Sequence, residues 1–302
     1  MKIRYERPVC HAAFWSFRLG LFTFALFAIS AGLHRFGVME TEIFAVLFSI
    51  CTGIALLAFG LASYGILRLW MVGAEGGRAS AKGSFFALLV LIPAGIGAYR
   101  AYALPPLYDI STNTADVPVF LEPIAHGPDW TPDIEILKSA PYEGQLDAYP
   151  HVTGRRYEGA LDRVLAAVRL VAENRGVIIS ATRLPEPAEP EKPETGSSIV
   201  EISPQAPSEF GLNSELSDDD APSPAEPMIL NQVQIILQGE ARTPFYGFAS
   251  DVSIRLSEEA ETTFVDMRSV SRFGPHDLGT NARIIDGFLR ALDTELVGIS
   301  VR

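Results

Sequence analysis

The sequence predicts a helical membrane anchor of three spans followed by an α+β domain, a small antiparallel sheet with two helices packed on one face. Three observations carry this. The charge balance reverses along the chain, three long apolar runs are confined to the first third, and the later apolar period switches between helix and strand. The 302 residues combine 48% hydrophobic content with a formal net charge of −12. A single soluble domain seldom shows both, so the two properties belong to different segments. Residues 1–104 hold nine of the 24 Lys and Arg and four of the 36 Asp and Glu, which leaves fifteen and thirty-two for residues 105–302. So acidic a second part repels phosphates, and no nucleic-acid partner is expected.

A bilayer core of about 30 Å takes roughly twenty helical residues. Phe14 to Leu33, Ile43 to Leu67 and Ser84 to Leu104 meet that length, and the second holds no charged residue over its twenty-five positions. Arg18 and Arg100 lie about one turn from span ends, where a long side chain reaches the headgroups. Trp15, Trp70, Tyr99 and Tyr102 also fall near span ends, as an interfacial aromatic belt requires. The lipid bilayer is therefore the first expected partner. Gly53, Gly60 and Gly65, with Ala94, Gly97, Ala98 and Ala101, mark the expected close contacts between spans.

Loop charge sets the expected orientation. Lys2, Arg4 and Arg7 precede the first span, Arg35 stands beside Glu40 and Glu42 in the first loop, and Arg68, Arg78 and Lys82 occupy the second. Basic, poor and basic in that order is the pattern of N-terminus inside, first loop outside, second loop inside and the long C-terminal region outside. A second reading makes residues 1 to about 31 a cleaved signal peptide with Leu19 to Ile29 as its apolar region; the C-terminal region is exported in both. Cys10 falls in the tail and Cys51 in the second span, so the exported region has no cysteine and depends on an ordinary core.

In residues 105–150, prolines from Pro105 to Pro141 interrupt every helix that might start, which predicts an extended lead-in wrapping the domain. Leu161, Val164, Leu165, Val168, Val171 and Ala172 then share one helix face, Gly176 closes that helix, and Val177 to Ala181 forms a strand. Residues 185–227 contain nine Pro, eleven Asp or Glu and a single base, Lys192, which predicts a disordered acidic insert between two strands. Order returns in three alternating segments. Val233, Ile235 and Leu237 mark the first, Tyr246, Phe248, Val252, Ile254 and Leu256 the second, and Thr263 to Ser271 the third. Turn signals lie at Gly239 to Pro244 and at Ser257 to Ala260. A last helix, from about Thr280 to Leu296, buries Ile284, Ile285, Phe288, Leu289, Leu292 and Leu296. Alternation leaves the second sheet face polar, to meet a partner or the lead-in.

The densest polar run is Val265 to Arg283, where a strand ends, a glycine-rich turn follows and a helix begins. Arg268, Ser271, Arg272, Asn281 and Arg283 are the candidate anion-binding residues, because arginine forks and a helix start suit a carboxylate, phosphate or sulfate. Gly274, Asp277, Gly279 and Thr280 are the expected turn and cap residues. A purely structural reading of the same run pairs Asp266 with one of its arginines and has Asp277 or Thr280 cap the helix. No catalytic residue, metal site or cofactor is expected. His126, His151 and His276 are scattered, and the chain has no P-loop, G-x-S-x-G or H-E-x-x-H motif. Asp109, Asp116, Glu122, Asp129 and Asp133 lack the tight spacing of a calcium loop.

Within this run, Arg268-Ser269, Ser271-Arg272, Gly274, Asp277, Gly279 and Asn281-Ala282-Arg283-Ile284 resemble the signature of the bacterial domain-of-unknown-function family fourteen ninety-nine. Pro105-Pro106-Leu107-Tyr108-Asp109-Ile110-Ser111-Thr112 resembles its opening motif, Ala148-Tyr149-Pro150 its middle motif, and Phe245 to Arg255 the strand before the signature. Tyr108 stands where such sequences often have His, and the acidic insert is a departure outside the shared core. The resemblance covers about residues 105–300 and implies a bacterial envelope protein, with no activity attached.

The expected function is thus a three-span inner-membrane protein displaying a periplasmic binding or structural domain. Two rivals remain: a membrane-tethered enzyme or anion binder working through the Arg268, Arg272, Asp277, Asn281 and Arg283 cluster, and an accessory subunit whose spans pack against a transport complex. Another envelope protein is a partner in the first and third.

Overall fold

The computed structural model describes residues 7–124, 144–185 and 233–300. The acidic insert, apart from Pro185, and lead-in residues 125–143, including His126, Asp129 and Asp133, lie outside the described residues. Helices α1 (His11–Arg35), α2 (Thr41–Val72) and α3 (Gly77–Ala103) are each long and apolar enough to cross a membrane. They contain the three expected spans, except that Leu104 falls one residue past α3.

α1 buries Ala13, Ser16, Gly20, Thr23, Phe27, Ser30 and His34, steps of three and four that make one seam facing its neighbours. The seam is tight because its residues are small. A Cβ on Gly20 would stand 2.9 Å from the Gly83 carbonyl oxygen, and one on Gly65 would stand 3.1 Å from the Ala13 Cβ. Of the expected contact residues, Gly65 is in this interface, whereas a Cβ on Gly53, Gly60 or Gly97 would meet nothing within 4 Å. Ala98 and Ala101 are exposed. Lipid tails are as apolar as the helix seams, so composition revealed that small residues were present but not which face they served. At one end of the bundle Val9 bridges Glu75, and the Cys10 N–H donates to the Glu75 carbonyl at 3.1 Å. That bridge joins the N-terminal tail to the α2–α3 loop.

The domain stands at the other end. Its elements are β1 (Asp109–Ser111), α4 (Gln145–Ala148), β2 (Arg155–Glu158), α5 (Leu161–Asn174), β3 (Ile178–Arg183), β4 (Gln234–Arg242), β5 (Ala249–Glu259), β6 (Thr262–Ser271) and α6 (Thr280–Ser300). All strand pairs are antiparallel, in the order β3-β4-β5-β6, and β1 and β2 share the outer edge of β6. The expected helices, the strand at β3 and the three later strands are present. Two corrections follow. The lead-in is not merely extended, because it supplies β1 and α4, and β2 follows directly. These strands are three and four residues long, and pairing with β6 fixes them where local pattern does not. Gly239 is not in a turn but inside β4. A Cβ there would stand 2.5 Å from the Ile178 carbonyl oxygen, so glycine permits the close approach of the irregular β3 edge.

Helices α5 and α6 cover one face. Val164, Val168, Ile285, Phe288 and Leu292 pack with Val252, Ile254, Leu256, Val265 and Met267 in one core. At about 25 cal/mol per Å², burying such side chains is the main source of the domain's stability. Residues 112–122 cross the opposite face as a strap, so the lead-in itself covers the polar side. Ser253 Oγ donates to the Val119 carbonyl at 2.7 Å, and Gln238 Oε1 accepts the N–H groups of Leu121 and Glu122 at 2.6 and 2.8 Å.

Candidate functional site

Period two puts Asp266 and Arg268 of β6, and Arg272 one residue past its end, on the strap face, and the structure gives each a partner from a neighbouring strand. Arg268 donates through Nε and Nη2 to both carboxylate oxygens of Asp109 at 3.0 and 2.6 Å. Its guanidinium also lies 5.0 Å from the Phe120 ring centroid of the strap. Asp266 pairs with Arg255 of β5 at 2.7 Å, not with an arginine of its own run, because Arg255 stands directly opposite it in the register. Arg255 continues to Asp116 of the strap at 2.8 Å. Arg272 forks onto Asp251 at 2.9 and 2.7 Å and reaches Glu240 at 2.6 Å. Hydrogen bonding to Asp251 raises the Arg272 guanidinium pKa above its ordinary value. Burial pushes the Glu240 carboxyl up, but Arg242 and Arg272 outweigh it and hold Glu240 below its ordinary value.

Ser271 and Asn281 lie on the other side of β6, under the start of α6. Asn281 Nδ2 donates to Ser271 Oγ at 3.0 Å and to the Tyr108 carbonyl at 2.7 Å, while Oδ1 accepts from Ser269 Oγ at 2.9 Å. One fully buried amide therefore ties strand, helix and lead-in together. Asp277 caps α6, accepting the N–H groups of Gly279 at 2.8 Å and Asn281 at 2.7 Å. Burial raises its pKa despite those two bonds. Gly274 and Gly279 have φ of 75° and 70°, in the left-handed region as the turn requires. Thr280 accepts from Arg283 Nη2 at 3.3 Å and donates its N–H to the Asp277 carbonyl at 3.0 Å.

Arg283 stands apart from the other candidates. It donates Nε to the Gly279 carbonyl at 2.9 Å, and among the described residues it forms no ion pair. The five candidate residues thus fall into three places: Arg268 and Arg272 on the strap face, Ser271 and Asn281 beneath α6, and Arg283 on its first turn.

Sequence reasoning missed the residues that join domain to bundle. Tyr246 and Phe248, read as strand, belong to the loop between β4 and β5 and are apolar because they pack on the ends of α1 and α2. His34, 4% exposed, stacks on Phe44 with centroids 4.6 Å apart. Its Nδ1 bonds the Tyr246 carbonyl, and since a carbonyl only accepts, Nδ1 carries the proton and Nε2 faces Thr41 Oγ1 at 3.0 Å. Arg35 donates to the Pro244 carbonyl at 3.0 Å. A cavity of about 200 Å³ lies beside this joint, walled by His34, Glu40, Arg242, Phe248, Arg272 and Phe273. The one advance signal was an aromatic pair, Tyr246 and Phe248, flanking a glycine. Among the described residues no group of His, Cys, Asp and Glu is placed to hold a metal ion.

The model of the family described as protein of unknown function (DUF1499) matches residues 140–292, from just before α4 into α6. The opening motif at Pro105 to Thr112 lies outside that match. Neither the curated proteins nor the solved structures give a match.

Proposed function

We propose that this chain, which belongs to the family of proteins of unknown function DUF1499, crosses the inner membrane of a bacterium three times and holds its α+β domain against the periplasmic surface as a binding or structural module of the cell envelope. The observation that carries this reading is the docking of the β4–β5 loop on the ends of α1 and α2 through His34, Arg35, Tyr246 and Phe248. A domain held by aromatic packing and hydrogen bonds at a helix end does not swing on a free linker. The seam that α1 buries supports its retention as a span, not its removal as a leader. Arg7, beside the Val9–Glu75 bridge, shares the end of the bundle opposite the domain with Arg68 near the end of α2 and Arg78 and Lys82 near the start of α3, which supports a cytoplasmic N-terminus. The strap-face arginines are held by carboxylates, which favours a binding or structural module over an enzyme working through them.

Reporters fused after Arg302 test the placement. Alkaline phosphatase at that position is expected to be active and green fluorescent protein dark. A fluorescent, phosphatase-inactive pair of fusions would put the domain in the cytoplasm and overturn the reading.

A further inference from the structure

Three parts of the chain converge where α3 meets the domain. The Leu104 N–H donates to the Arg100 carbonyl at 2.9 Å, closing the last turn of α3, and the Leu104 carbonyl faces His276 Nε2 at 3.2 Å. A Cβ on Gly279 would stand 2.7 Å from Leu104 Cδ1 and 3.2 Å from the Tyr149 hydroxyl. Arg283 is bonded to the carbonyl of that same Gly279. The end of a span, the Tyr149 ring and the first turn of α6 therefore share one corner.

The chemistry of this corner is unbalanced. Among the described residues neither Arg100 nor Arg283 forms an ion pair, in contrast to Arg255, Arg268 and Arg272. Burial and the positive charge of Arg100 both hold the Arg283 guanidinium below its ordinary pKa. Asp277, the acid beside them, spends its carboxylate on the N–H groups of Gly279 and Asn281. Tyr149 is 9% exposed, and among the described residues its buried hydroxyl has no hydrogen-bond partner. A buried hydroxyl left without a partner is costly, and two neighbouring cations repel unless an anion lies between them.

We propose that Arg100, Arg283 and the Tyr149 hydroxyl form a binding site for the phosphate group of an anionic lipid headgroup in the leaflet that the domain faces. Arginine forks bind phosphate oxygens bidentately, and a tyrosine hydroxyl donates a further bond. Arg100 lies in the last turn of an apolar helix, at the depth of the headgroups, and Arg283 of the domain lies near enough to feel its charge. The site rests on the membrane placement proposed above, though not on which side of the bilayer the domain occupies. A phosphate could come from a lipid or from solution, and the position of Arg100 in a span selects the lipid.

The full chain is reconstituted in nanodiscs of phosphatidylethanolamine with a minority of phosphatidylglycerol, and the lipids retained on release are counted by native mass spectrometry. The chain is expected to retain phosphatidylglycerol preferentially. R100Q and R283Q should each weaken that retention roughly tenfold, and Y149F roughly threefold. R290Q, on the same helix as Arg283 but paired with Asp286, should leave it unchanged. Equal retention of the two lipids, or unchanged preference in R100Q and R283Q, overturns the site. R100Q breaks no side-chain contact within the domain, so misfolding does not excuse its result. Complete displacement of phosphatidylglycerol by inorganic phosphate overturns the lipid assignment. Carbonate extraction separates the two readings: a chain released by carbonate defeats the membrane placement, while a retained chain without lipid preference defeats the site alone.

Discussion

The two faces of the sheet use the same strands and are closed by opposite chemistry. On one, Val252, Ile254, Leu256, Val265 and Met267 meet the apolar stripes of α5 and α6. On the other, Asp251, Arg255, Asp266 and Arg268 alternate with them and are covered by a strap that brings Asp116 and Phe120, with Asp109 paired alongside on β1. Both faces exclude water, since β5 is buried at every position from Ser250 to Ser257. An apolar face accepts any well-shaped cover, because dispersion and the hydrophobic effect are non-directional. A charged face accepts only a cover that satisfies each donor and acceptor, and so it specifies the path of the strap.

The largest effects test whether the two faces are equally strict. Phe288→Ala should cost about 3–5 kcal/mol through the cavity it leaves. Asp266→Ala, which strips the acid from a pair whose side chains are 9% and 1% exposed, should cost about 3 kcal/mol or more. Hydrogen exchange of β5 and β6 amides in the full chain measures both, and an Asp266 variant as protected as the parent would break the comparison.

A smaller effect sharpens it. Gln145 donates Nε2 to the Ser111 carbonyl at 2.6 Å and accepts the Ser111 N–H at 3.1 Å, which pins α4 to the end of β1. Gln145→Ala should cost about 1–3 kcal/mol and loosen exchange at residues 109–112 before the rest of the sheet.

The smallest expected effect is a pH dependence. Burial raises the Glu240 carboxyl, but Arg242 and Arg272 bring it below its ordinary value of 4.5. An acid whose folded pKa is depressed contributes stability above its unfolded pKa and loses that contribution as pH falls through the folded value. Thermal unfolding between about pH 7 and about pH 3 should show E240Q with a shallower acid-side loss than the parent. Parallel curves would mean that Glu240 adds nothing to the strap face.

The outline of the fold was legible where a pattern repeats within one element. The α5 stripe from Leu161 to Ala172 is the buried stripe observed, and Val252, Ile254 and Leu256 face the core as alternation requires. β1 and β2 were not legible, since three or four residues carry no period and the prolines around them argue against any element. In the candidate run, residue types and the Asp277 cap could be read from spacing. That Arg268 meets Asp109 and Asp266 meets Arg255 could not, because those partners lie 159 and 11 residues away. The corner of Arg100, Tyr149 and Arg283 gave no joint signal either, since its members come from a span, a proline-rich segment and a helix start.

The sequence by itself determined three apolar helices, an acidic α+β domain and the inward faces of its main elements, because hydrophobic periodicity is a local property of each segment. Only the tertiary structure decided which helix faces meet, which carboxylate neutralises which arginine and where the β4–β5 loop docks. Those choices depend on register and on contacts between distant segments, and for charges and small residues many pairings are chemically equivalent until the chain has folded.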